Sequence, residues 1–443
     1  MVKIPTIPPS LPEILSDLAE NEAVPFAQFL ALGIGPAPGG QYRHWHKLKF
    51  LQPPEGLTSE MWWAGVKLAR LQQRREIDLL DKQGIQFQYT LADPVLEKLH
   101  HIDRNAAGAI DLPDAVSNPQ TKDRYLQRSL IEEAITSSQL EGATTTRQDA
   151  KEMIQTGRKP RDRSEKMILN NYQAMQLLSS IKDMPLSLEL VKEIHSTITE
   201  GTLETVHVLR QPNDGIAVFD EQSNRVLHSP PPAGEIETRM QAMCAFANEA
   251  QTGPFLHPVL KAIILHFWLA YDHPFVDGNG RTARALFYWY MLKERYWLFE
   301  FISISSIIRQ APSRYGKSFL YTETDDNDVT YFLLSQLAVI CRAIDELFEY
   351  LERKTYEIRT TTRLLRTRAG LNHRQISLLT HALKHPGMRY TIASHRRSHD
   401  VTYQTSRTDL LDLEGRGLLH RSRSGRAFVF TPHEDLGNRI KDL

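Results

Sequence analysis

The sequence predicts a mainly α protein: a helical core with a small β-hairpin, an N-terminal helical module and a C-terminal winged helix. Three observations lead to this fold class. Apolar residues recur at helical spacing through most of residues 120–350. One stretch inside that region, residues 215–229, alternates as a β-hairpin does. Beyond residue 352 a basic segment is patterned as helix, helix and hairpin, the order typical of a winged helix.

The chain is longer than one hydrophobic core usually serves, so we expect several domains. We place an N-terminal module at residues 1–110, the helical domain at 111–355 and the winged helix at 359–443. Acidic and basic residues balance at 53 each, but residues 359–430 hold 14 Arg and Lys against 4 Asp and Glu. That segment therefore carries +10 and the remainder −10, which indicates different partners for the two parts.

The sequence also indicates the compartment. The two cysteines, Cys244 and Cys341, have no metal-binding or redox spacing. The first residues lack the basic start and apolar run of a signal peptide, and no stretch is apolar over the length of a bilayer. We therefore expect a cytoplasmic protein that makes no membrane contact.

The N-terminal module begins irregularly, with several prolines in the first twelve residues. The aromatic segment 42–50 is compatible with a strand or a loop. Thr58 is placed as the N-cap of a helix whose pattern runs from Met61 to Ile77. We find no internal repeat.

Several amphipathic helices follow in the helical domain. The stretch from Asp123 places its apolar residues on one face, and Gly142 suits the end of that helix. Residues 187–199 and 235–249 are patterned as two more helices. Between these two, apolar residues alternate on both sides of a polar turn at 222–224, which predicts the hairpin.

The most informative stretch is HPFVDGNGRTAR, residues 273–284. It joins a helix that is apolar nearly all round, from Pro258 to Tyr271, to a second apolar helix predicted from Thr282 to Arg295. A helix that is apolar all round is buried. The loop therefore lies at the end of a buried helix and feeds into the start of another.

Several residues of this loop suit the binding of phosphate. Gly278 and Gly280 allow the backbone to approach a ligand closely. The first N–H groups of the following helix are unpaired, and its dipole favours anions. Arg281 and Arg284, three residues apart, carry guanidinium groups that match phosphate oxygens. A tight turn without function is the alternative, but arginines at a helix start oppose the dipole unless an anion is present.

Two further residues suit catalysis. His273 is the side chain best fitted to accept a proton near neutral pH. Asp277 offers a hard oxygen ligand for a magnesium ion that also touches phosphates. The alternating carboxylates of a calcium loop are missing, and no P-loop pattern occurs in the chain.

The stretch 273–284 resembles the signature of the Fic (Fic/DOC) family, HPFx[DE]GN[GK]RxxR, and matches every specified position. The resemblance extends through roughly residues 120–350. It implies an enzyme that transfers AMP from ATP to a Ser, Thr or Tyr hydroxyl of a target protein. The hairpin at 215–229 corresponds to the family's flap, whose edge would align a target segment by strand pairing.

The resemblance implies a role for each matched residue. His273 would be the general base, and Asp277 would bind the Mg²⁺ ion that bridges the α- and β-phosphates. The other matched residues would bind the phosphates of ATP: Gly278, Asn279 and Gly280 as an anion-binding nest, Arg281 near the β-phosphate and Arg284 at the γ-phosphate.

A second resemblance lies upstream, in SSQLEG, residues 137–142. It matches the family's inhibitory motif [ST]xxxE[GN], with Ser137 and Glu141 at the key positions. A solvated acid at a helix end is the alternative, although such an acid opposes the dipole. The match implies an inhibitory helix built into the same chain. The N-terminal segment also resembles a module found in some bacterial Fic proteins.

The basic C-terminal segment predicts a partner of its own. Its second helix would expose a polar set and pack an apolar set on a small core, as a recognition helix does. Basic residues on these elements are typical of contact with DNA, whereas winged helices also mediate protein contacts or dimerisation. Both alternatives stay open here. The exposed set is Tyr403, Gln404, Ser406 and Arg407, the apolar set is Leu410, Leu411 and Leu413, and the wing would carry Arg421, Arg423 and Arg426.

Two other functions remain compatible with the sequence. Glu141 would align water if the enzyme instead removed AMP from a modified protein. Alternatively, the protein would be a DNA-binding regulator whose Fic core only senses a nucleotide. ATP itself follows from the resemblance, because related cores use other phosphate-bearing substrates. The sequence leaves a monomer and a homodimer open.

Overall fold

The computed structural model describes residues 3–20, 29, 32–107, 119–203, 209–220, 223–249, 254–368, 370–424, 427–433 and 435–442. The protein is mainly helical with small antiparallel sheets, which confirms the predicted fold class. It divides into two compact units, Met1–Gly108 with Arg128–Ile344 and Ala109–Gln127 with Asp345–Leu443. Within the described residues, no helix is long and apolar enough to cross a membrane.

The helices are numbered here in chain order. Those that begin before the hairpin are α1 Leu11–Glu20, α2 Trp45–Leu48, α3 Ser59–Gln72, α4 Asp93–Ala106, α5 Pro119–Leu140, α6 Arg147–Thr156, α7 Arg163–Ile181 and α8 Leu188–Thr199. Those that follow it are α9 Ile236–Asn248, α10 Pro258–Asp272, α11 Asn279–Lys293, α12 Ile304–Gln310, α13 Pro312–Thr324, α14 Thr330–Arg368, α15 His373–Lys384, α16 Ile392–His399, α17 Tyr403–Gly415 and α18 Leu436–Lys441.

The strands of the described residues form three separate antiparallel sheets. The first two are hairpins, and the third has the order β5-β7-β6. The strands are β1 Arg74–Leu80, β2 Gln86–Thr90, β3 Val218–Phe219, β4 Val226–His228, β5 Tyr390–Thr391, β6 Leu419–Ser424 and β7 Ala427–Pro432.

The N-terminal region confirms one prediction and corrects two. Thr58 caps α3, its hydroxyl accepting a hydrogen bond from the Met61 N–H at 3.1 Å. The helix ends at Gln72, so its predicted continuation to Ile77 is wrong. Residues from Arg74 form β1 instead, because Ile77 alternates with exposed neighbours and pairs with a residue of β2. The aromatic segment 42–50 contains the short helix α2, not a strand or a loop.

The helix that carries the predicted inhibitory motif is held firmly in the first unit. α5 ends at Leu140, and Gly142 has a φ of 89°, as expected of a residue that terminates a helix. Glu133 of α5 accepts hydrogen bonds from Tyr288 Oη at 2.9 Å and Ser303 Oγ at 2.7 Å. These contacts fix the last turns of α5 against α11 and the start of α12.

The central pair of helices confirms the predicted burial. Every residue of α10 except the first and Ala270 is buried, and so is almost every residue of α11. The N-cap of α10 is His257, whose ring accepts from the Val259 N–H. α11 begins at Asn279, three residues before its predicted start, because Gly278 already acts as the N-cap. Arg281 therefore lies in the first turn of α11.

The predicted hairpin forms as β3 and β4. Val218 pairs with His228 and Phe219 with Val226. The turn closes on Asp220, whose carbonyl accepts from the Asn224 N–H at 2.8 Å. Part of the predicted turn, including Gln222, lies outside the described residues.

The C-terminal unit contains more elements than its sequence pattern indicated. Its order from His373 is α15, β5, α16, α17, β6, β7 and α18, so the sequence interpretation missed β5, α16 and α18. Asp409 of α17 is buried and joins the helices. It accepts hydrogen bonds from Arg374 Nε at 2.7 Å and from Asn372 Nδ2 at 2.7 Å, and its Oδ2 lies 3.2 Å from His395 Nε2.

The predicted polar face of α17 is largely exposed, with one correction. Tyr403, Gln404 and Arg407 are exposed. Ser406 is fully buried, and its hydroxyl is satisfied by donating to the carbonyl of Thr402 at 3.1 Å. The predicted apolar set faces inward: two of its leucines are fully buried and the third packs against the same core, namely Leu410, Leu413 and Leu411.

Candidate active site

Five parts of the first unit meet around the stretch 273–284. They are the end of α10, the following loop, the start of α11, and the ends of α5 and α8. The segment around Leu209 joins them, because this residue forms an antiparallel bridge with Phe275 of the loop. The structure thus brings both predicted motifs to one place.

Internal hydrogen bonds fix the shape of the loop. Asn279 closes it, its Oδ1 accepting from the Phe275 N–H at 2.9 Å and its Nδ2 donating to the Phe275 carbonyl at 2.8 Å. The ring of His195 in α8 stacks on Phe275 with centroids 3.6 Å apart, and its Nε2 donates to the Asp277 carbonyl at 2.9 Å. Because the Asn279 amide is used inside the loop, only its backbone N–H is available for an anion.

Gly278 cannot be replaced without strain. Its φ is 82°, a conformation that favours glycine. A Cβ at this position would also lie 2.8 Å from Cγ2 of Thr199 in α8. This close approach is what sets the entry of the chain into α11.

Arg281 is a buried cation that lacks partners for part of its guanidinium. Its Nη1 donates to the Ile198 carbonyl at 3.1 Å, but Nε and Nη2 have no hydrogen-bond partner among the described residues. Nη2 forms only a long ion pair with Asp277 Oδ1, at 3.6 Å. Burial lowers the pKa of Arg281. A buried charge with unpaired donors favours an anion as its partner.

Arg284 is fully engaged by the predicted inhibitory motif. Its Nε donates to Ser137 Oγ at 2.8 Å, and its Nη2 donates to the Ser137 carbonyl at 3.1 Å. Nη2 also pairs with Glu141 Oε1 at 2.9 Å. Glu141 of residues 137–142 and Arg284 of residues 273–284 are therefore in direct contact.

The Glu141 carboxylate lies over the first turn of α11. A Cβ at Gly280 would be 2.9 Å from Cδ of Glu141 and 3.2 Å from Nη1 of Arg284. This is where the helix dipole and the unpaired N–H groups attract an anion. The carboxylate thus occupies the kind of place that a phosphate would take.

His273 is poised to accept a proton. It caps the end of α10 with a φ of 48°. Its Nδ1 lies 3.4 Å from the Ala270 carbonyl, and because a carbonyl only accepts, Nδ1 carries the proton. The lone pair then resides on Nε2. Burial lowers the pKa of His273 to about 4, with His228 and Glu141 among the nearby charges that act on it. The imidazole is therefore neutral at physiological pH.

Asp277 is the carboxylate of the loop, and 34% of its side chain is exposed. Its Oδ2 pairs with Arg163 Nη2 at 3.1 Å, and its Oδ1 accepts from the Gly278 N–H at 2.5 Å. Within the described part of the chain, no group of three or more His, Cys, Asp or Glu side chains is arranged to hold a metal.

Sequence reasoning missed several residues around this place. Arg210 and the buried Asp272 contact or flank His273, Arg239 pairs with Asp272, and Arg163 pairs with Asp277. One signal pointed to them: an acid, Asp272, ends a helix that is otherwise apolar. The arginines come from distant segments and carry no local signature.

Comparison with known proteins agrees with this geometry. Residues 185–291, which run from the start of α8 almost to the end of α11, match the Fic/DOC family. The match identifies a Fic/DOC domain within this chain, at residues 185–291.

Two curated relatives are both called protein adenylyltransferase Fic. The protein from Drosophila grimshawi is 28% identical over 190 residues, 41% of this chain and 36% of the relative. The protein from Nematostella vectensis is 26% identical over 209 residues, 45% of this chain and 44% of the relative. The chain thus spans less than half the length of each.

A crystal structure of a Fic family protein from Desulfovibrio desulfuricans G20 shares the fold. It covers 78% of this chain and 98% of its own, with a TM-score of 0.52 and 18% sequence identity.

The burial of His273 generates a testable expectation. Because its pKa is lowered to about 4 from the usual 6.5, the ring stays unprotonated as the pH falls through 6.5. Titrating ¹³C-histidine-labelled protein by NMR, with the His273 signal assigned by its loss in His273→Ala, should show a midpoint near pH 4. A midpoint near 6.5 would contradict the buried, neutral imidazole.

Proposed function

We propose that the protein transfers AMP from ATP to a Ser, Thr or Tyr hydroxyl of a target protein and that Glu141 restrains this activity. One observation carries the proposal. Two buried guanidinium groups, Arg281 and Arg284, lie at the start of α11 beside a neutral histidine, and one of them has unpaired donors. A polyphosphate would satisfy those donors, and His273 would deprotonate the attacking hydroxyl.

The reaction follows from this arrangement. The hydroxyl oxygen of the target attacks the α-phosphorus of ATP while Nε2 of His273 takes its proton. A bond forms between that oxygen and the α-phosphorus, the bond to the β-phosphate bridging oxygen breaks, and pyrophosphate leaves. Catalysis then rests on positioning and on neutralising the phosphate charge, the latter through Arg281 and Arg284.

Magnesium fits the chemistry of Asp277. The carboxylate is partly exposed at the mouth of the loop, and Mg²⁺ in nucleotide enzymes is held by one or two carboxylates plus phosphate oxygens. Asp277 would hold the ion against the α- and β-phosphates, and Arg163 would have to give up its pairing with Oδ2. The bound ion would supply neutralisation of phosphate charge.

Autoinhibition is the reading that best fits the contacts of Glu141. Its carboxylate engages the arginine proposed to bind the γ-phosphate and lies over the first turn of α11. While it stays there, Arg284 is unavailable and the triphosphate is displaced from its productive position. The reverse reaction, in which Glu141 aligns water to remove AMP from a modified protein, is the competing account.

The hairpin offers a surface for the target. Phe219 and Val226 pair across β3 and β4 and are both largely exposed, as is Val276 in the loop. An exposed edge of this kind would align an extended target segment by backbone pairing, and these side chains would contact its apolar residues.

The C-terminal unit supports a second function, binding of duplex DNA by a winged helix. Arg396 and Arg397 on α16 and Arg407 on α17 are exposed, and they form no ion pair with any other described residue. Arg421 is partly neutralised by Glu414, at 3.0 Å. Unpaired arginines on two successive helices suit phosphate contacts on either side of a groove. Arg426, also expected on the wing, lies outside the described residues.

The proposed transfer is tested by substituting the base. Incubation of the protein with magnesium and ATP labelled at the α-phosphate should place label on protein. His273→Ala should lower the rate about 10²–10⁴-fold, the usual effect of losing a general base, while ATP binding changes only a few-fold.

Mass spectrometry with each of the four nucleoside triphosphates identifies the nucleotide and the modified residue. A His273→Ala protein that transfers at the parent rate would refute the assignment. DNA retention without any protein labelling would favour the regulator instead.

Removing Glu141 should release the enzyme. If the paired state is favoured about 99 to 1, productive binding is reduced about 100-fold, and Glu141→Gly should raise labelling by that order. Arg284→Ala should give no such gain, because it removes the phosphate contact as well, and the double variant should resemble Arg284→Ala. Label incorporation in all four proteins decides. Unchanged activity of Glu141→Gly contradicts inhibition, and loss of AMP removal in that variant favours the reverse reaction.

DNA binding by the full chain should depend steeply on salt, because phosphate contacts release counterions. Each arginine contact removed should lower the slope of log K against log salt by about one. Gel shifts would compare the parent with the Arg396→Ala, Arg397→Ala and Arg407→Ala triple variant. Arg416→Ala is the matched control, since this arginine pairs with Asp412 at 3.0 Å. No retention of DNA at low salt would leave a protein-contact role for the unit.

A further inference from the structure

The turn that carries His273 is held by arginine side chains that the proposed chemistry does not use. His273 has a positive φ of 48°, which residues other than glycine seldom adopt. Such a conformation persists only where the surrounding structure enforces it. The contacts of Arg210 and of Asp272 with Arg239 provide that support.

Arg210 binds three backbone carbonyls with one guanidinium group. Its Nε donates to the carbonyl of His273 at 2.8 Å, and its Nη2 donates to the carbonyls of Asp272, at 3.2 Å, and of Pro231. Its own N–H donates to the Pro274 carbonyl at 2.9 Å. The side chain is buried, with 7% of the residue exposed. One residue thus joins the end of α10 to the chain on both sides of the hairpin.

Asp272 supports the same turn through its side chain. The carboxylate is fully buried, and Arg239 of α9 donates to its Oδ1 from Nε at 2.8 Å and from Nη2 at 2.7 Å. Trp268 donates to Oδ2 at 3.0 Å, and Arg239 also donates to the Leu80 carbonyl at the end of β1. The N-terminal hairpin is therefore connected to the residue that precedes His273.

We propose that Arg210, together with the Asp272–Arg239 pair, positions the imidazole of His273 and so sets the rate of proton removal during AMP transfer. The last carbonyls of a helix have no partner within the helix, and the helix dipole favours cations near them. Arg210 therefore binds favourably at the carbonyls of Asp272 and His273. Without Arg210 and Arg239 the turn relaxes, and the His273 ring loses the orientation in which Nε2 faces the target hydroxyl. The proposal rests on the proposed function, but it also predicts a property of His273 that needs no turnover.

The test compares Arg210→Met, Arg210→Lys and Arg239→Met with a matched control, Arg70→Met. Arg70 is also a buried arginine that donates to three neutral acceptors, the carbonyls of Pro36 and Arg43 and the hydroxyl of Tyr331. It also pairs with Asp325 at 3.6 Å, and none of these partners belongs to the turn. It therefore reports the general cost of losing a buried guanidinium. Each variant is first checked for folding by its thermal melting curve.

The first measurement is the NMR titration of ¹³C-labelled His273 in proteins that retain Glu141. Arg210→Met removes a positive charge and admits water, and both raise the pKa of His273 from about 4 toward 6.5. Arg210→Lys keeps the charge but cannot reach three carbonyls, so we expect an intermediate value. Arg239→Met should move the midpoint in the same direction. In Arg70→Met the midpoint should stay where it is.

The second measurement is the rate of AMP transfer in the Glu141→Gly background. Misplacing the base should lower kcat on the order of 10–10²-fold in Arg210→Met while the KM for ATP changes only about two-fold. In a protein that already carries His273→Ala, Arg210→Met should cause no further loss, because the two act through one step.

The outcomes separate the two proposals. If no protein is labelled even by Glu141→Gly, the proposed function fails, and the titration alone decides on the role of Arg210. An unchanged titration and unchanged kcat in Arg210→Met would overturn the positioning role. The same would follow if Arg70→Met lowered kcat as much, or if Arg210→Met and His273→Ala had additive effects.

Discussion

The candidate active site depends on two guanidinium groups buried at the start of one helix. Arg281 and Arg284 lie three residues apart where the dipole of α11 is already positive, so each charge raises the cost of burying the other. Negative charge must compensate them. In this structure Glu141 does so for Arg284 at 2.9 Å, whereas Arg281 has only the more distant Asp277, at 3.6 Å. Nε and Nη2 of Arg281 have no hydrogen-bond partner among the described residues. This imbalance explains why the loop suits an anion and why the end of α5 lies against it.

The rest of the first unit serves to hold that arrangement in place. α10 and α11 are buried along almost their whole length, so the loop between them has little freedom. Asn279 and the ring of His195 fix the loop from inside, and Glu133 fixes α5. The N-terminal hairpin also belongs to this support, through the contact between Leu80 and Arg239. The N-terminal module, for which the sequence predicted no role, is thereby connected through Arg239 to Asp272 at the end of α10.

Charge is organised differently in the C-terminal unit. Its buried carboxylate, Asp409, joins three helices through hydrogen bonds, so it serves the fold. Its unpaired arginines lie instead on the surface of α16 and α17, where water screens them. The first unit buries Arg281 and Arg284, whereas the second exposes Arg396, Arg397 and Arg407.

The sequence by itself determined the features that depend on neighbours in the chain. Helical periodicity, the cap at Thr58, the stop at Gly142 and the spacing of Arg281 and Arg284 are local, and so are the two motifs that contain Glu141 and Arg284. Tertiary structure decided the rest. Residues 74–77, predicted as helix, form part of β1 because they pair with β2, and local periodicity cannot show such a pairing. The tertiary structure also places Arg210 on the carbonyl of His273, 63 residues away in sequence, and Arg239 on the carboxylate of Asp272, 33 residues away. A long-range hydrogen bond leaves no period in the sequence, and only the packed fold shows which buried carbonyl or carboxylate each arginine meets.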